Sequence, residues 1–299
     1  MPPQQIAENF IGRQKEIELF MQWLATPDES WIFYIYDVLA EPEKKGGVGK
    51  TYLLRRYATL AKQANPETTV AMVDFFSVAD RDGIAVAERL VQELQVNYPD
   101  WSPSAFSEAV KEYRSTIDNE NVDVTDFKLK ISDALTTALQ ELEEQLHKTG
   151  ASILIFFDTF ELIELNPTIA VLSPAKTFPD NYHFDHIRVV IAGRNALDWT
   201  HPNWLGREQE IKAVALPPFS QREMLQYLDT TSIYYGLQEQ DKQAIALYER
   251  TEGRPIIIGL AIDVVNRRIL TLEDLLSVSR TEFESYLVPQ INQLENPLN

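Results

Sequence analysis

The sequence contains no cysteine. Disulfides, thiolate zinc sites and a cysteine nucleophile are therefore excluded, and the redox compartment stays open. No apolar run is long enough for a bilayer; the strongest, Ile153 to Phe157, is far too short. The first residues, Met1-Pro2-Pro3-Gln4-Gln5, lack the basic start and apolar stretch of a secretory signal. Basic residues are few beside acidic ones, 27 against 45, for a formal net charge of −18. Nucleic-acid binding draws on Lys and Arg to neutralise phosphates, so nucleic acid is an unlikely partner on composition. No internal repeat, no low-complexity tract and no Ser-His-Asp arrangement is evident. These absences describe a soluble, cytoplasmic chain without a membrane partner.

What is present begins with a 44% apolar fraction over 299 residues. That supports one large domain or two smaller ones. Apolar runs at Trp31 to Tyr36, Thr69 to Phe75, Ser152 to Phe157 and Arg188 to Ala192, with a weaker one at Glu210 to Val214, suit buried parallel strands. Helical patterns lie between them at Tyr52 to Ala64, Ile84 to Val96 and Ser132 to His147. This alternation predicts an α/β fold with a parallel five-stranded sheet. The polar, acidic stretch from Ser102 to Thr125 reads as a solvated helix and loop. After Leu216-Pro217-Pro218 only helical patterns remain. Ser220 and Glu223 have the spacing of a capping box. The expected division is 1–216 for the α/β domain and 217–299 for a small all-α domain with a helical tail.

Gly46-Gly47-Val48-Gly49-Lys50-Thr51 joins a strand pattern to a helix pattern. Glycines let backbone N–H groups curl around a phosphate, and the helix N-terminus adds partial positive charge. Lys50 is expected on the β/γ-phosphates and the Thr51 hydroxyl on Mg²⁺. Tyr52, the next residue, joins the nucleotide-binding candidates. The full pattern places Gly where Lys44 stands, and the approach from Tyr36 is long. ATP with Mg²⁺ is the expected ligand. No guanine-reading motif is present, and ATP against GTP stays open.

The apolar run ending in Asp158 has the form of a strand that delivers a carboxylate to Mg²⁺. Glu161, three residues on, is the candidate for orienting an attacking water, with Thr159 and Glu164 behind it. Arg194 follows the fourth strand, at the sheet edge where ligands bind, and is a candidate for sensing the γ-phosphate. The alternative for Arg194 is a surface salt bridge. His183, Asp185 and His186 offer no third ligand in a suitable pattern for a metal. Trp31, Phe33, Tyr34 and Tyr36 read as sheet packing.

In this order, these residues resemble the STAND class of signal-transducing P-loop ATPases, relatives of the NB-ARC and AAA+ proteins. Phe10-Ile11-Gly12-Arg13 with Glu16 is similar to the hhGRExE motif, and by that resemblance Ile11, Gly12 and Arg13 become nucleotide contacts. The resemblance makes Asp158 the Walker B aspartate and Arg194 the sensor 1 arginine. Thr159 stands where many members carry a second acid. Leu216-Pro217-Pro218-Phe219-Ser220 looks like the linker to the helical domain, and Gly253-Arg254-Pro255 like the GxP motif, with Pro255 near the base and ribose. The implied fold is a P-loop NTPase three-layer sandwich followed by a helical domain. The implied function is an ATP/ADP switch in signalling, regulation or defence, with slow Mg²⁺-dependent hydrolysis and a protein partner or homo-oligomer on activation. Lys50, Asp158, Glu161 and Arg194 would carry turnover. Two alternatives stand beside it: a nucleotide-stabilised scaffold without turnover, and an AAA+ DNA-associated ATPase.

Overall fold

The computed structural model describes residues 10–26, 30–38, 46–76, 83–116, 125–162, 186–201, 204–230, 237–278 and 283. Five strands form as the apolar runs predict: β1 (Ile32–Asp37), β2 (Thr68–Asp74), β3 (Ser152–Asp158), β4 (Ile187–Ala192) and β5 (Ile211–Leu216). They lie in one sheet in the order β2-β3-β4-β1-β5. Parallel registers pair Val70 with Leu154, Ile155 with Val189 and Phe33 with Val190. Such pairs require crossover connections, and among the described residues helices supply them after β1 and after β2.

Helix α1 (Gln14–Ala25) precedes β1, α2 (Lys50–Ala64) joins β1 to β2, and α3 (Gly83–Asn97), α4 (Ser104–Thr116) and α5 (Thr125–Thr149) lie between β2 and β3. The chain forms two compact units: one from Glu16–Tyr36 and Leu53–Ala215, the other from Met1–Lys15, Asp37–Tyr52 and Leu216–Asn299.

In the first unit, successive strand residues point to opposite faces. Ile32, Tyr34, Val73, Ile155 and Ile191 join Leu90 and Leu94 of α3 and Ile131 and Leu135 of α5 in one core. Phe33 points the other way and packs edge-on against Phe20 of α1 and Tyr57 of α2, with centroids 5.7 and 5.8 Å away. The result is a sheet between two helical layers. Every residue of β4 is buried, which is why it reads as a continuous apolar run. Arg188 is the exception in chemistry. Its guanidinium lies 3.7 Å from the Trp23 ring centroid and donates to the carbonyls of Trp23, Leu24 and Ser30. Burial pushes its pKa down to about 10.

The segment expected to be solvated is in part a packed helix. Phe106, Ala109 and Val110 of α4 are buried, at the i, i+3, i+4 spacing of a helix face. Trp101 ahead of it donates its indole N–H to Ala138 O at 2.9 Å. The acidic residues occupy the outer face of α4, so overall polarity concealed the apolar stripe.

In the second unit, α6 (Gln221–Asp229), α7 (Lys242–Thr251), α8 (Pro255–Asn266) and α9 (Leu272–Ser277) surround Met224, Leu228, Leu247, Ile258 and Leu275. The capping box at Ser220 is present in both directions. Helix α7 stops at Glu252, in the left-handed region, followed by Gly253 at φ +67. A Cβ on Gly253 would lie 2.2 Å from Phe219 O, while Phe219 N donates to Gly253 O at 2.7 Å. Only glycine permits that approach. Pro255 then opens α8 at its first position, where no N–H is needed. Among the described residues no helix is long and apolar enough to cross a membrane.

Candidate nucleotide site

Helix α2 begins at Lys50, directly after Gly49 at φ +93. Its first turn carries no acidic residue. The partial positive charge of a helix N-terminus is therefore not offset by a carboxylate of the turn itself. Thr51 and Tyr52 lie in this turn, Tyr52 with 54% of its surface exposed.

The glycine loop ahead of it is braced from three directions within its own unit. Gly46 N donates to Asp37 Oδ2 at 2.6 Å, and the Arg254 guanidinium donates to Gly46 O at 3.2 Å. Ile256 N donates to Gly47 O at 3.1 Å. This last bond satisfies one of the orphan amides at the start of α8, whose N-cap Arg254 offers no side-chain cap. Gly47 sits at φ +70, and a Cβ there would stand 2.1 Å from Ile256 Cγ2. The Lys50 ammonium lies 4.0 Å from the same Asp37 oxygen that accepts from Gly46.

Gly12 and Arg13 are consecutive left-handed residues, at φ +70 and +62. Arg13 is almost fully buried. Its guanidinium donates to Pro217 O and Val48 O, at 2.5 and 2.8 Å, and lies 4.9 Å from the Phe219 ring centroid. Its backbone N–H donates to Glu223 Oε1 at 2.9 Å. Arg13 therefore bridges the loop, at Val48, and the helical segment. Burial pushes the Glu223 carboxyl up, but the bonds from Arg13 N, Ser220 N and the Ser220 hydroxyl outweigh it and leave the pKa lowered.

The residues fit a polyphosphate. The loop holds left-handed glycines beside a helix N-terminus, and the buried Arg254 Nε has no hydrogen-bond partner. Lys50, Thr51, Arg254 and the amides of 46–51 are the groups that would hold it. Arg254 escaped the sequence reading, which considered its neighbour Pro255. Its signal was available as a basic residue inside the GxP match.

In the other unit, Asp158 closes β3, is buried, and accepts from Thr159 N at 2.8 Å. Thr159 adopts φ +57, and its hydroxyl donates to Asp74 Oδ1 at 2.9 Å. Asp74 and Asp158 are register partners at the ends of neighbouring strands. Glu161 lies in a 3-10 turn, Phe160–Leu162, and pairs with Arg194 at 2.9 Å. Two residues nominated separately for turnover thus hold each other. His186 bonds Ala151 O and His147, at 3.0 and 3.3 Å. No group of three metal-ligating side chains occurs among the described residues. Lys44, Glu164, His183 and Asp185 lie outside them.

Sheet order, helical layers and glycine loop together define a P-loop NTPase α/β fold. No family model matches the chain, and no curated protein does. Solved structures do. The chain is similar to the Walker-type ATPase paby2304 of Pyrococcus abyssi, at 14% identity and TM-score 0.54, over 97% of this chain and 77% of that one. It is similar to the ADP form of the Aeropyrum pernix ORC2 protein, at 13% and 0.50, over 95% and 72%. It is also similar to the Aeropyrum pernix ORC1 protein solved in complex with DNA, at 14% and 0.50, over 95% and 66%. These likenesses belong to the fold alone. The last one overturns the expectation that nucleic acid is an unlikely partner. Net charge was the wrong guide, because a local surface can bind phosphates against the overall balance.

Proposed function

We propose that this protein is a cytoplasmic ATP-binding switch with slow Mg²⁺-dependent hydrolysis, of the STAND kind. The observation that carries the reading is the braced glycine loop: its carbonyls at Gly46 and Gly47 are bonded by Arg254 and by the first turn of α8. A loop that changes its peptide planes on binding phosphate must change those bonds. Nucleotide state is thereby coupled to the helical segment 217–299, through an element with two arrangements. Ile11, Gly12, Arg13, Tyr52 and Pro255 are assigned to the nucleoside side, and Gly46 to Thr51 to the phosphates. Thr51 is assigned to Mg²⁺, which when bound would offset phosphate charge. Assembly with itself or a protein partner would follow the triphosphate state. Calorimetric titration with MgATP, followed by proteolysis of the helical segment with and without nucleotide, tests the reading. Saturable binding with altered cleavage supports it; binding without altered cleavage contradicts the switch.

The Glu161–Arg194 ion pair favours a second reading, a nucleotide-stabilised scaffold without turnover. A glutamate held by a guanidinium is a poor base for water. Steady-state phosphate release separates the two: turnover that Glu161→Gln lowers supports the ATPase, and background release that it leaves unchanged supports the scaffold. The DNA complex of the ORC1 protein favours a third, a DNA-associated ATPase. Phosphate release stimulated by duplex DNA is its test.

A further inference from the structure

The glycine loop carries its own anion. Asp37 is the last residue of β1, and its side chain is fully buried. One oxygen, Oδ2, accepts from Gly46 N at 2.6 Å and stands 4.0 Å from Lys50 Nζ. A backbone amide of the glycine loop and the lysine ammonium are the two donor types that a phosphate would engage there. A carboxylate already addresses both.

We propose that Asp37 is the specificity-determining residue that limits how strongly this site prefers a triphosphate to a diphosphate. The inference rests on the nucleotide reading above. A phosphate oxygen bonded to Lys50 at about 2.8 Å would lie within about 7 Å of Asp37 Oδ2, with the lysine placed as it is. At an effective dielectric of about 20, one unit charge opposing another at that distance corresponds to roughly fifty-fold in affinity. The lysine also loses attraction for phosphate to the extent that it is neutralised by Asp37. Both effects grow with ligand charge, so ATP is penalised more than ADP. The opposing effect is structural, since the Asp37 acceptor holds Gly46. Asparagine preserves an acceptor oxygen and removes only the charge.

The test is Asp37→Asn, with Asp37→Ser as a second charge-free acceptor, titrated calorimetrically against MgATP, MgADP, inorganic triphosphate and pyrophosphate. Thermal melts without ligand check that each variant is folded. The expected result is at least about tenfold tighter binding of ATP and inorganic triphosphate, with a smaller gain for ADP and pyrophosphate. Equal gains for tri- and diphosphates overturn the discrimination. Unchanged or weaker binding by both folded variants, with wild type binding normally, shows that the carboxylate is only an anchor and overturns the inference alone. Absence of binding by wild type and variants overturns the nucleotide reading and this inference with it.

Discussion

Replacing Gly47 by alanine attacks the point where the glycine loop meets α8. The added Cβ would stand 2.1 Å from Ile256 Cγ2, where carbon–carbon contact needs about 3.5–4.0 Å. Ile256 must then move by more than 1 Å. Its N–H donates to Gly47 O at 3.1 Å, and that bond is not retained through such a shift. A lost hydrogen bond costs about 0.5–1.5 kcal/mol. The left-handed backbone, at φ +70, adds about 1–2 kcal/mol for any residue with a Cβ. The sum is about 1.5–3.5 kcal/mol. Urea denaturation followed by far-UV circular dichroism reads this as a lower midpoint at constant slope. Ile256→Ala in the Gly47→Ala background removes the 2.1 Å contact and leaves a tight 3.0 Å approach to Cβ and the dihedral strain, so about 1 kcal/mol returns. An unchanged midpoint for Gly47→Ala would refute the argument. A double variant no more stable than the single one would refute the steric part.

Other outcomes follow from the same geometry. Ser220→Ala removes one half of the capping box and is expected to destabilise by about 1 kcal/mol in thermal or urea melts. Glu223 has a lowered pKa in the folded state, so its contribution is present above its ordinary value of 4.5 and is lost as pH falls through the folded value. Stability measured against pH should fall in that acid range, and Glu223→Gln should flatten the fall. Arg188→Ala strands three carbonyls and the Trp23 face, and about 2–4 kcal/mol of unfolding free energy should disappear in denaturant titration.

Much of the fold was readable because buried parallel strands are apolar on both faces. Ser152 to Phe157 and Arg188 to Ala192 differ from the observed strands by one residue. The capping box was readable because its two members are three residues apart and bond locally. Contacts across long sequence separations were not. Nothing near Glu223 announces that it receives the amide of Arg13, 210 positions away. Glu161 and Arg194 were each legible as residues at strand ends, but their pairing depends on a turn and on strand order. Asp37 was missed because a carboxylate nine positions before Gly46 carries no local pattern, and only the folded loop brings them together. Arg13 was found by resemblance, yet its guanidinium spends its bonds on Pro217 and Val48, which makes it a brace between segments as well as a nucleotide candidate.

The central claim is that the loop from Gly46 to Thr51 binds a nucleoside triphosphate, and Lys50→Ala with calorimetric titration of MgATP tests it most directly. Loss of a charge-assisted contact worth about 1.5–3 kcal/mol predicts affinity weakened by about ten- to a hundredfold, with the fold retained by circular dichroism. Equal affinity in wild type and Lys50→Ala would contradict it.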